Sequence, residues 1–190
     1  MAEICEFESF PKIPRLTNVP VQITEKIDGT NAQITISEDG TIQVGSRNRW
    51  IYHDRGKADD NYGFAAWVAS NAELLRRLGP GRHFGEWWGQ GIGRNYGLSE
   101  RRLSLFNAHR WNPEVLAERG LLGLVGAVPI LATATLDTLD IPAIVNKLFN
   151  EGSVAVPGWA KPEGVVIRIG PQLIKITDNG NLPKWSLHAE

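Results

Sequence analysis

The sequence predicts an α+β fold with antiparallel-rich sheets and helices packed outside them, and three observations support this prediction. Short runs of β-branched and apolar residues recur along the chain and are joined by tight, glycine-containing turns, a pattern typical of β-hairpins. Other segments place their apolar residues at helical spacing. The chain has 190 residues, of which 42% are hydrophobic, enough for one well-packed domain and too short for two large ones.

The first part of the chain predicts a lead-in followed by a β-meander. Prolines at positions 11, 14 and 20 break residues 1–20 into an extended segment. The alternation of Ala32, Ile34 and Ile36 predicts a strand with one buried face, and residues 38–40, with the sequence Glu-Asp-Gly, predict the hairpin turn that follows it. The predicted strands of this part cover residues 21–27, 31–37 and 41–46.

The rest of the chain mixes helices with strands. Apolar residues from Phe64 to Leu78 recur at helical spacing and predict a helix over residues 60–78, which a Gly-Pro-Gly sequence then ends. Pro142 is acceptable in the first turn of a second long helix. The remaining predicted elements are strands at 82–88, 103–108, 128–132, 164–169 and 172–177, helices at 113–119 and 141–150, and a glycine-rich loop at 89–97.

Charge and cysteine content exclude several kinds of protein. The formal net charge is -1, so contact with a polyanion must come from a local cluster of cations and not from an overall positive charge. Cys5 is the only cysteine, which excludes an internal disulfide and a cysteine-rich metal site. The N-terminus does not have the pattern of a signal peptide, and no apolar run approaches the roughly 18 residues of a membrane helix. We therefore expect a soluble, cytoplasmic protein with no membrane partner.

Residues 24–31, with the sequence Thr-Glu-Lys-Ile-Asp-Gly-Thr-Asn, form the most informative segment for function. They place Lys26 at the end of an apolar, β-branched run and just before a tight turn at Gly29. A lysine held in this way acts as a nucleophile if its amine is neutral, although a free lysine has a pKa of about 10.4. The pattern Lys-x-Asp-Gly alone arises by chance in about one chain in twenty of this length. The interpretation therefore depends on the partners that the rest of the chain supplies.

Four further clusters follow Lys26 in chain order and supply candidate partners. Residues 46–49, with the sequence Ser-Arg-Asn-Arg, end the third predicted strand. Glu86 stands among aromatic residues, where a buried and unpaired carboxylate is costly. Glu163 precedes the apolar strand Gly-Val-Val-Ile, and Lys175 lies within the strand after it.

Together these motifs resemble the covalent nucleotidyltransferase superfamily, which comprises polynucleotide ligases and mRNA capping enzymes. Their order matches that of the family: lysine-x-aspartate-glycine, a serine-arginine element, a glycine-glutamate element, glutamate-glycine-valine-valine and a final lysine strand. The form of the first motif over residues 25–31 is most similar to the ATP-dependent RNA ligase family. The resemblance covers about residues 21–177, and it implies an ATP-grasp-like nucleotidyltransferase domain of the ligase type that acts through a covalent lysyl-AMP.

The resemblance implies a role for each charged residue of the motifs. Lys26 is the nucleophile, and Asp28 orients its amine or binds the nucleic acid end. Lys175 contacts the α-phosphate of ATP, and Glu163 is the catalytic carboxylate that helps to bind Mg²⁺. Nearby cations and a bound metal disfavour the ammonium form of the nucleophile. A fixed cation and Mg²⁺ also stabilise the negative charge that builds on the phosphate during the attack.

The same resemblance implies a set of nucleotide-binding residues, to which Lys26 and Lys175 also belong. Glu25, at the start of the first motif, belongs to this set. Arg47 and Glu86 grip the ribose and its hydroxyls. Phe106, in the strand after the glycine-rich loop, stacks on the adenine.

We expect residues 1–190 to form a single adenylyltransferase domain, because no OB domain or other C-terminal domain fits after the last motif. Its expected partners are nucleic acid ends, RNA in preference to DNA, and a protein that replaces the accessory domain is an open alternative. A DNA ligase and a GTP-using guanylyltransferase also remain open, since Asp28 stands where many RNA ligases have histidine. A catalytically silent nucleotide- or nucleic-acid-binding module is a further alternative, against which the intact set of charged motif residues argues.

Overall fold

The computed structural model describes residues 6–13 and 15–178, and this part of the chain forms two β-sheets with four α-helices outside them. The predicted α+β fold with antiparallel-rich sheets is confirmed. The strands are β1 (Pro20–Lys26), β2 (Thr30–Ile36), β3 (Ile42–Gly45), β4 (Gly81–Gly89), β5 (Arg101–Leu105), β6 (Val125–Ala127), β7 (Ile130–Thr135), β8 (Gly164–Ile169) and β9 (Gln172–Thr177). The helices are α1 (Phe64–Ser70), α2 (Ala72–Leu75), α3 (Pro113–Glu118) and α4 (Ile141–Glu151).

The two sheets are joined by the segment that carries the first sequence motif. One sheet has four strands in the order β7-β1-β8-β9, and every pair in it is antiparallel. The other has five strands in the order β3-β2-β4-β5-β6, in which only β5 and β6 run parallel. Because β1 ends at Lys26 and β2 begins at Thr30, the chain crosses from one sheet to the other within residues 27–29.

Each sheet packs one face against helices and leaves the other face for a cleft. The helices α1, α2 and α3 cover the five-stranded sheet through fully buried side chains such as Phe64, Leu75 and Leu116. The helix α4 covers the four-stranded sheet, where Val145 and Leu148 pack against β1 and β8. Burying one such large apolar side chain contributes about 1.5–3 kcal/mol. A third apolar cluster lies apart from these two cores and includes Ile27, Trp88, Tyr96, Ala108 and Val128.

The helix predicted over residues 60–78 is wrong as a continuous helix. It begins at Phe64, because Gly63 before it has a left-handed φ of 78°. It breaks at Asn71, whose side-chain Nδ2 donates to the carbonyl of Trp67 at 2.8 Å. Asparagine side chains compete with the backbone for helical carbonyls in this way. The segment continues as α2 and then as a 3₁₀ turn, Arg76–Leu78.

The lead-in and the final hairpin show how far local signals predict structure. The predicted strands at 164–169 and 172–177 agree with β8 and β9 at every residue. Within the lead-in, a 3₁₀ turn occupies Leu16–Asn18, while the predictions for residues 1–5 and 14 fall outside the described residues. None of the helices in the described ranges combines the length with the apolar character that crossing a membrane requires.

Gly164, the first residue of β8, shows why a glycine follows Glu163. Its φ is +153°, and a Cβ built at this position would overlap the carbonyl oxygen of Ile176 in β9. Side chains rarely adopt this backbone conformation, which glycine tolerates. The glycine therefore lets β9 pair with β8 at the point where Glu163 enters the sheet.

Candidate active site

A cleft of about 660 Å³ lies between the open faces of the two sheets and holds most of the residues that the sequence singled out. The strands β1, β8 and β9 line one side, and β2, β4 and the residues after β3 and β5 line the other. The predicted site residues that line it are Glu25, Lys26, Arg47, Glu86, Phe106 and Lys175.

Strand alternation decides which side chains of β1 face the cleft. Val21 and Ile23 are buried under α4, while Gln22, Thr24 and Lys26 line the cleft. Successive side chains of a strand point to opposite faces of its sheet. Lys26 therefore points into the cleft. It is the last residue of β1, a strand that is paired on both sides, with β7 and with β8.

Lys26 and Glu163 form an ion pair at the end of the cleft. The Nζ of Lys26 donates to the Oε2 of Glu163 at 2.7 Å, and the two side chains are 24% and 12% exposed. The main chain fixes Glu163, because its carbonyl accepts the N–H of Asp178, just after β9, at 3.1 Å. The predicted nucleophile and the predicted metal-binding carboxylate are thus in direct contact, although 137 residues separate them in sequence.

Lys175 reaches the same cleft from the edge strand β9. It pairs with Val166 of β8, which in turn pairs with Thr24 of β1, so the three side chains form a row across the cleft face of the sheet. Lys175 is exposed. It therefore offers a positive charge one strand beyond the Lys26–Glu163 pair.

Glu86 is held in the cleft wall by the close packing of the segment that connects the sheets. A Cβ at Gly29 would lie 2.5 Å from the carbonyl oxygen of Trp87 and 2.9 Å from the Cγ of Glu86, so only glycine fits there. Glu86 is 8% exposed. Burial raises its pKa to about 7, an effect that Lys26 opposes and Glu163 reinforces.

We expect Glu86→Gln to change how the free energy of unfolding depends on pH. Because the pKa of Glu86 is higher in the folded than in the unfolded state, the stability linked to its proton is full below about pH 4.5 and is lost as the pH rises to about 7. A pKa that moves from 4.5 to about 7 corresponds to about 3 kcal/mol. Urea unfolding at pH 5 and pH 8 should therefore show the variant gaining stability over wild type as the pH rises. The exposed control Glu38→Gln should show no such trend, and a Glu86→Gln curve parallel to wild type would contradict the prediction.

Asp28 points away from the cleft and into the glycine-rich loop. Its N–H donates to the Oη of Tyr96 at 2.8 Å, and its Oδ2 lies 3.5 Å from the Nε of Arg94. The Nη2 of Arg94 binds Asp178 at 2.6 Å. Arg94 therefore ties the turn after the nucleophile to the end of β9. The contacts of Asp28 are therefore with the glycine-rich loop, and its two predicted roles stay predictions.

Glu25 lines the cleft, but its carboxylate is bound elsewhere. It is 1% exposed and accepts three hydrogen bonds, from the hydroxyl of Ser153 at 2.5 Å and from the N–H groups of Val154 and Ala155 at 2.8 Å each. Strand alternation puts this side chain on the face opposite Lys26. Its predicted contact with a nucleotide stays a prediction.

Three arginines of the cleft were missed in the sequence. Arg82, Arg110 and Arg168 line it together with the predicted cations. Arg168 pairs with Gln22 across β1 and β8, and it stands two residues after Val166 on the same face of β8, so the period of β8 already indicated its face. The resulting excess of positive charge suits a polyphosphate.

The described residues do not build a metal site without a ligand. No group of three or more histidine, cysteine, aspartate or glutamate side chains in the described ranges is arranged to hold an ion. Mg²⁺ commonly binds to one or two carboxylates and completes its shell with water and substrate phosphates. The carboxylate of Glu163 fits that arrangement, so the donor set suits a magnesium ion that arrives with a phosphorylated substrate.

Comparison with known proteins agrees with this geometry. A family model described as RNA ligase matches residues 19–180. No curated protein is significantly similar in sequence.

Among solved structures, the chain resembles variants of the Naegleria gruberi RNA ligase. One with ATP and Mn has a TM-score of 0.62 at 20% identity. A second with ATP and Mn has 0.61 at 22%, and one with AMP and Mn has 0.61 at 21%. Each match covers 87% of this chain and 51% of the solved chain, so the chain spans about half the length of those proteins. At these identities the similarity shows a common fold.

Proposed function

This chain belongs to the RNA ligase family, and from that membership we propose that it joins nucleic acid ends in an ATP-dependent reaction through a covalent lysyl-AMP. The observation that carries the proposal is the position of the Lys26 amine, 2.7 Å from Glu163 in a cleft rich in cations. RNA is the proposed nucleic acid, because the family model that matches is that of RNA ligases.

In the first step Lys26 attacks the α-phosphorus of ATP. The P–N bond forms, the bond to pyrophosphate breaks, and the amine loses a proton. In this structure the amine donates to Glu163, a contact that holds it at the end of the cleft. To attack, the amine must leave this contact and be neutral.

The surrounding charges support this step. Lys175 and Arg47 face the cleft and would counter the negative charge that builds on the α-phosphate. Glu163 would hold Mg²⁺, which when bound stabilises that same charge. The solved relatives named above contain ATP or AMP with Mn, which supports a nucleotide and a divalent ion for this chain as well.

The remaining cleft residues would hold the nucleoside. Phe106 and Val166 line the cleft from opposite sheets, so a flat base would fit between an aromatic ring and a β-branched side chain. Glu86 and Arg47 offer an acceptor and a donor to the ribose hydroxyls. The raised pKa of Glu86 means that this acceptor also carries a proton for part of the time near neutral pH.

Two further transfers would complete the reaction. A 5′-phosphate oxygen attacks the lysyl-AMP phosphorus, which breaks the P–N bond and leaves AMP on the nucleic acid end. A 3′-hydroxyl then attacks the 5′-phosphorus, and AMP leaves. Because this chain covers only 51% of the solved relatives, we propose that engagement of the ends also uses a protein partner or a further segment.

Label transfer tests the proposal. The protein is first treated with pyrophosphate to remove bound AMP and is then given Mg²⁺ with ATP or GTP labelled at the α-phosphate. We expect the label from ATP to stay with the denatured protein and to move to 5′-phosphorylated RNA when that is added. Labelling by neither nucleotide would exclude the covalent mechanism for this chain, and preference for GTP would favour a guanylyltransferase.

A further inference from the structure

A second cleft, of about 690 Å³, adjoins the nucleotide cleft and is lined mainly by the segment between β3 and α1. Ser46 lines this second cleft, and its neighbour Arg47 lines the first. Asn61 links them again, because its Nδ2 donates to the carbonyl of Asn31 at 3.3 Å and Asn31 lines the nucleotide cleft. A ligand could therefore run from one cleft into the other.

The second cleft has a small excess of positive charge. Arg49, Lys57 and Arg101 line it, with Asp60 as the one acidic residue of the lining, and Arg49 forms an ion pair with Asp59. The Oδ1 of Asp60 accepts the N–H of Ala66 at 2.8 Å. Lys57 is exposed and makes no ion pair within the described residues. Cations in such a setting attract phosphate groups.

An exposed aromatic residue on a fixed main chain stands at the rim of this cleft. Tyr62 is 54% exposed, and its carbonyl accepts the indole N–H of Trp87 at 3.1 Å and the Nη1 of Arg101 at 2.9 Å. Asn61 and Tyr62 both have left-handed φ values, 47° and 58°, a conformation that costs of order 1–3 kcal/mol for a side-chain-bearing residue. The side chain of Asn61 helps to hold this backbone conformation, because its Oδ1 accepts a hydrogen bond from the hydroxyl of Thr30 at 3.1 Å.

We propose that this second cleft binds the single-stranded RNA whose end enters the nucleotide cleft, with its cations on the phosphates and Tyr62 stacked on a base. The inference rests on the proposed function and adds its substrate-binding surface. Cations beside an exposed aromatic ring are the combination that binds single strands, because unpaired bases stack on such rings. The cores of protein–protein interfaces are depleted in charged residues, whereas four of the nine residues that line this cleft are charged.

The test is the affinity for a fluorescent, 5′-phosphorylated single-stranded RNA, measured by anisotropy at several salt concentrations. We expect Lys57→Ala to reduce the slope of log K against log salt by about 0.7, the loss of one phosphate contact. We expect Tyr62→Ala to weaken binding at least about fivefold, and Tyr62→Phe, which keeps the ring, to bind like wild type. Lys147→Ala, an exposed lysine of α4 on the far side of the other sheet, is the matched control.

Label transfer from ATP separates this inference from the proposed function. These positions lie outside the nucleotide cleft, so we expect AMP labelling of all the variants to stay within about twofold of wild type. Wild-type RNA affinity and salt slope in both Lys57→Ala and Tyr62→Ala would overturn the inference while leaving the lysyl-AMP mechanism intact. Loss of labelling in Tyr62→Ala would assign its ring a structural role. The salt slope of RNA binding by Lys57→Ala, a change at an exposed position, would then decide whether the inference stands. A wild-type protein that takes no label would overturn the proposed function itself.

Discussion

Replacing Lys26 with alanine is expected to reduce AMP labelling by roughly 10⁴-fold or more, the scale at which removing a nucleophile acts. The variant keeps the cleft but no longer has the amine that forms the P–N bond. The measurement is transfer of label from ATP to the protein. Labelling of Lys26→Ala at more than a small fraction of wild type would identify another nucleophile.

Lys26→Arg is the control for loss of charge. Arginine keeps a positive charge beside Glu163, but its guanidinium stays protonated and is not a nucleophile. We expect no labelling and a thermal midpoint close to that of wild type. A midpoint that falls only in Lys26→Ala would measure the effect of leaving Glu163, 12% exposed, without its partner.

Gly164→Ala is expected to cause the largest loss of stability of any substitution considered. The new Cβ would overlap the carbonyl oxygen of Ile176, so β9 must move away from β8 and carry Lys175 with it. We expect a loss of about 3 kcal/mol or more, which lowers the thermal midpoint by about 6–12 °C in a domain of this size. Labelling at a temperature where the variant is still folded should also fall.

Gly170→Ala provides the matched control in the same hairpin. Gly170 also has a positive φ, of 55°, but no atom lies within 4 Å of a Cβ built there. The free energy of unfolding of Gly170→Ala should fall by only about 1–2 kcal/mol, which is what a left-handed conformation costs alanine, and the variant should keep its AMP labelling. Equal effects of the two substitutions would show that strand displacement is not the cause.

The cleft residues were predictable where they belong to strands with clear periods. Lys26, Glu86 and Lys175 lie on β1, β4 and β9, and the motifs around them predicted both the strands and the cleft. The contacts of the Glu25 carboxylate could not be predicted in this way, although Val21 and Ile23 share its face and are buried. Its actual partners begin at Ser153, 128 residues away, and no local pattern indicates so distant a contact.

The strand predicted over residues 128–132 overlaps β7 only from Ile130, and the short strand β6, Val125–Ala127, was not predicted. The two strands belong to different sheets, β6 to the five-stranded and β7 to the four-stranded sheet. Pro129 lies between them, and its carbonyl accepts the N–H of Glu25 at 2.9 Å. A proline signals an interruption in pairing, but which sheet each flanking segment joins depends on packing across the whole chain.

The way the chain distributes its strands has a consequence for biosynthesis. The five-stranded sheet is built from the contiguous residues 30–127, whereas β1 pairs only with β7 and β8, more than 100 residues later. Chains emerge from the ribosome N-terminus first, and contacts of long sequence separation form slowly. We therefore expect the five-stranded sheet to assemble while β1 still waits for its partners. The strand that carries Lys26 would then be among the last to be ordered, so a nascent chain stays without its nucleophile in position until residues 164–169 have been made.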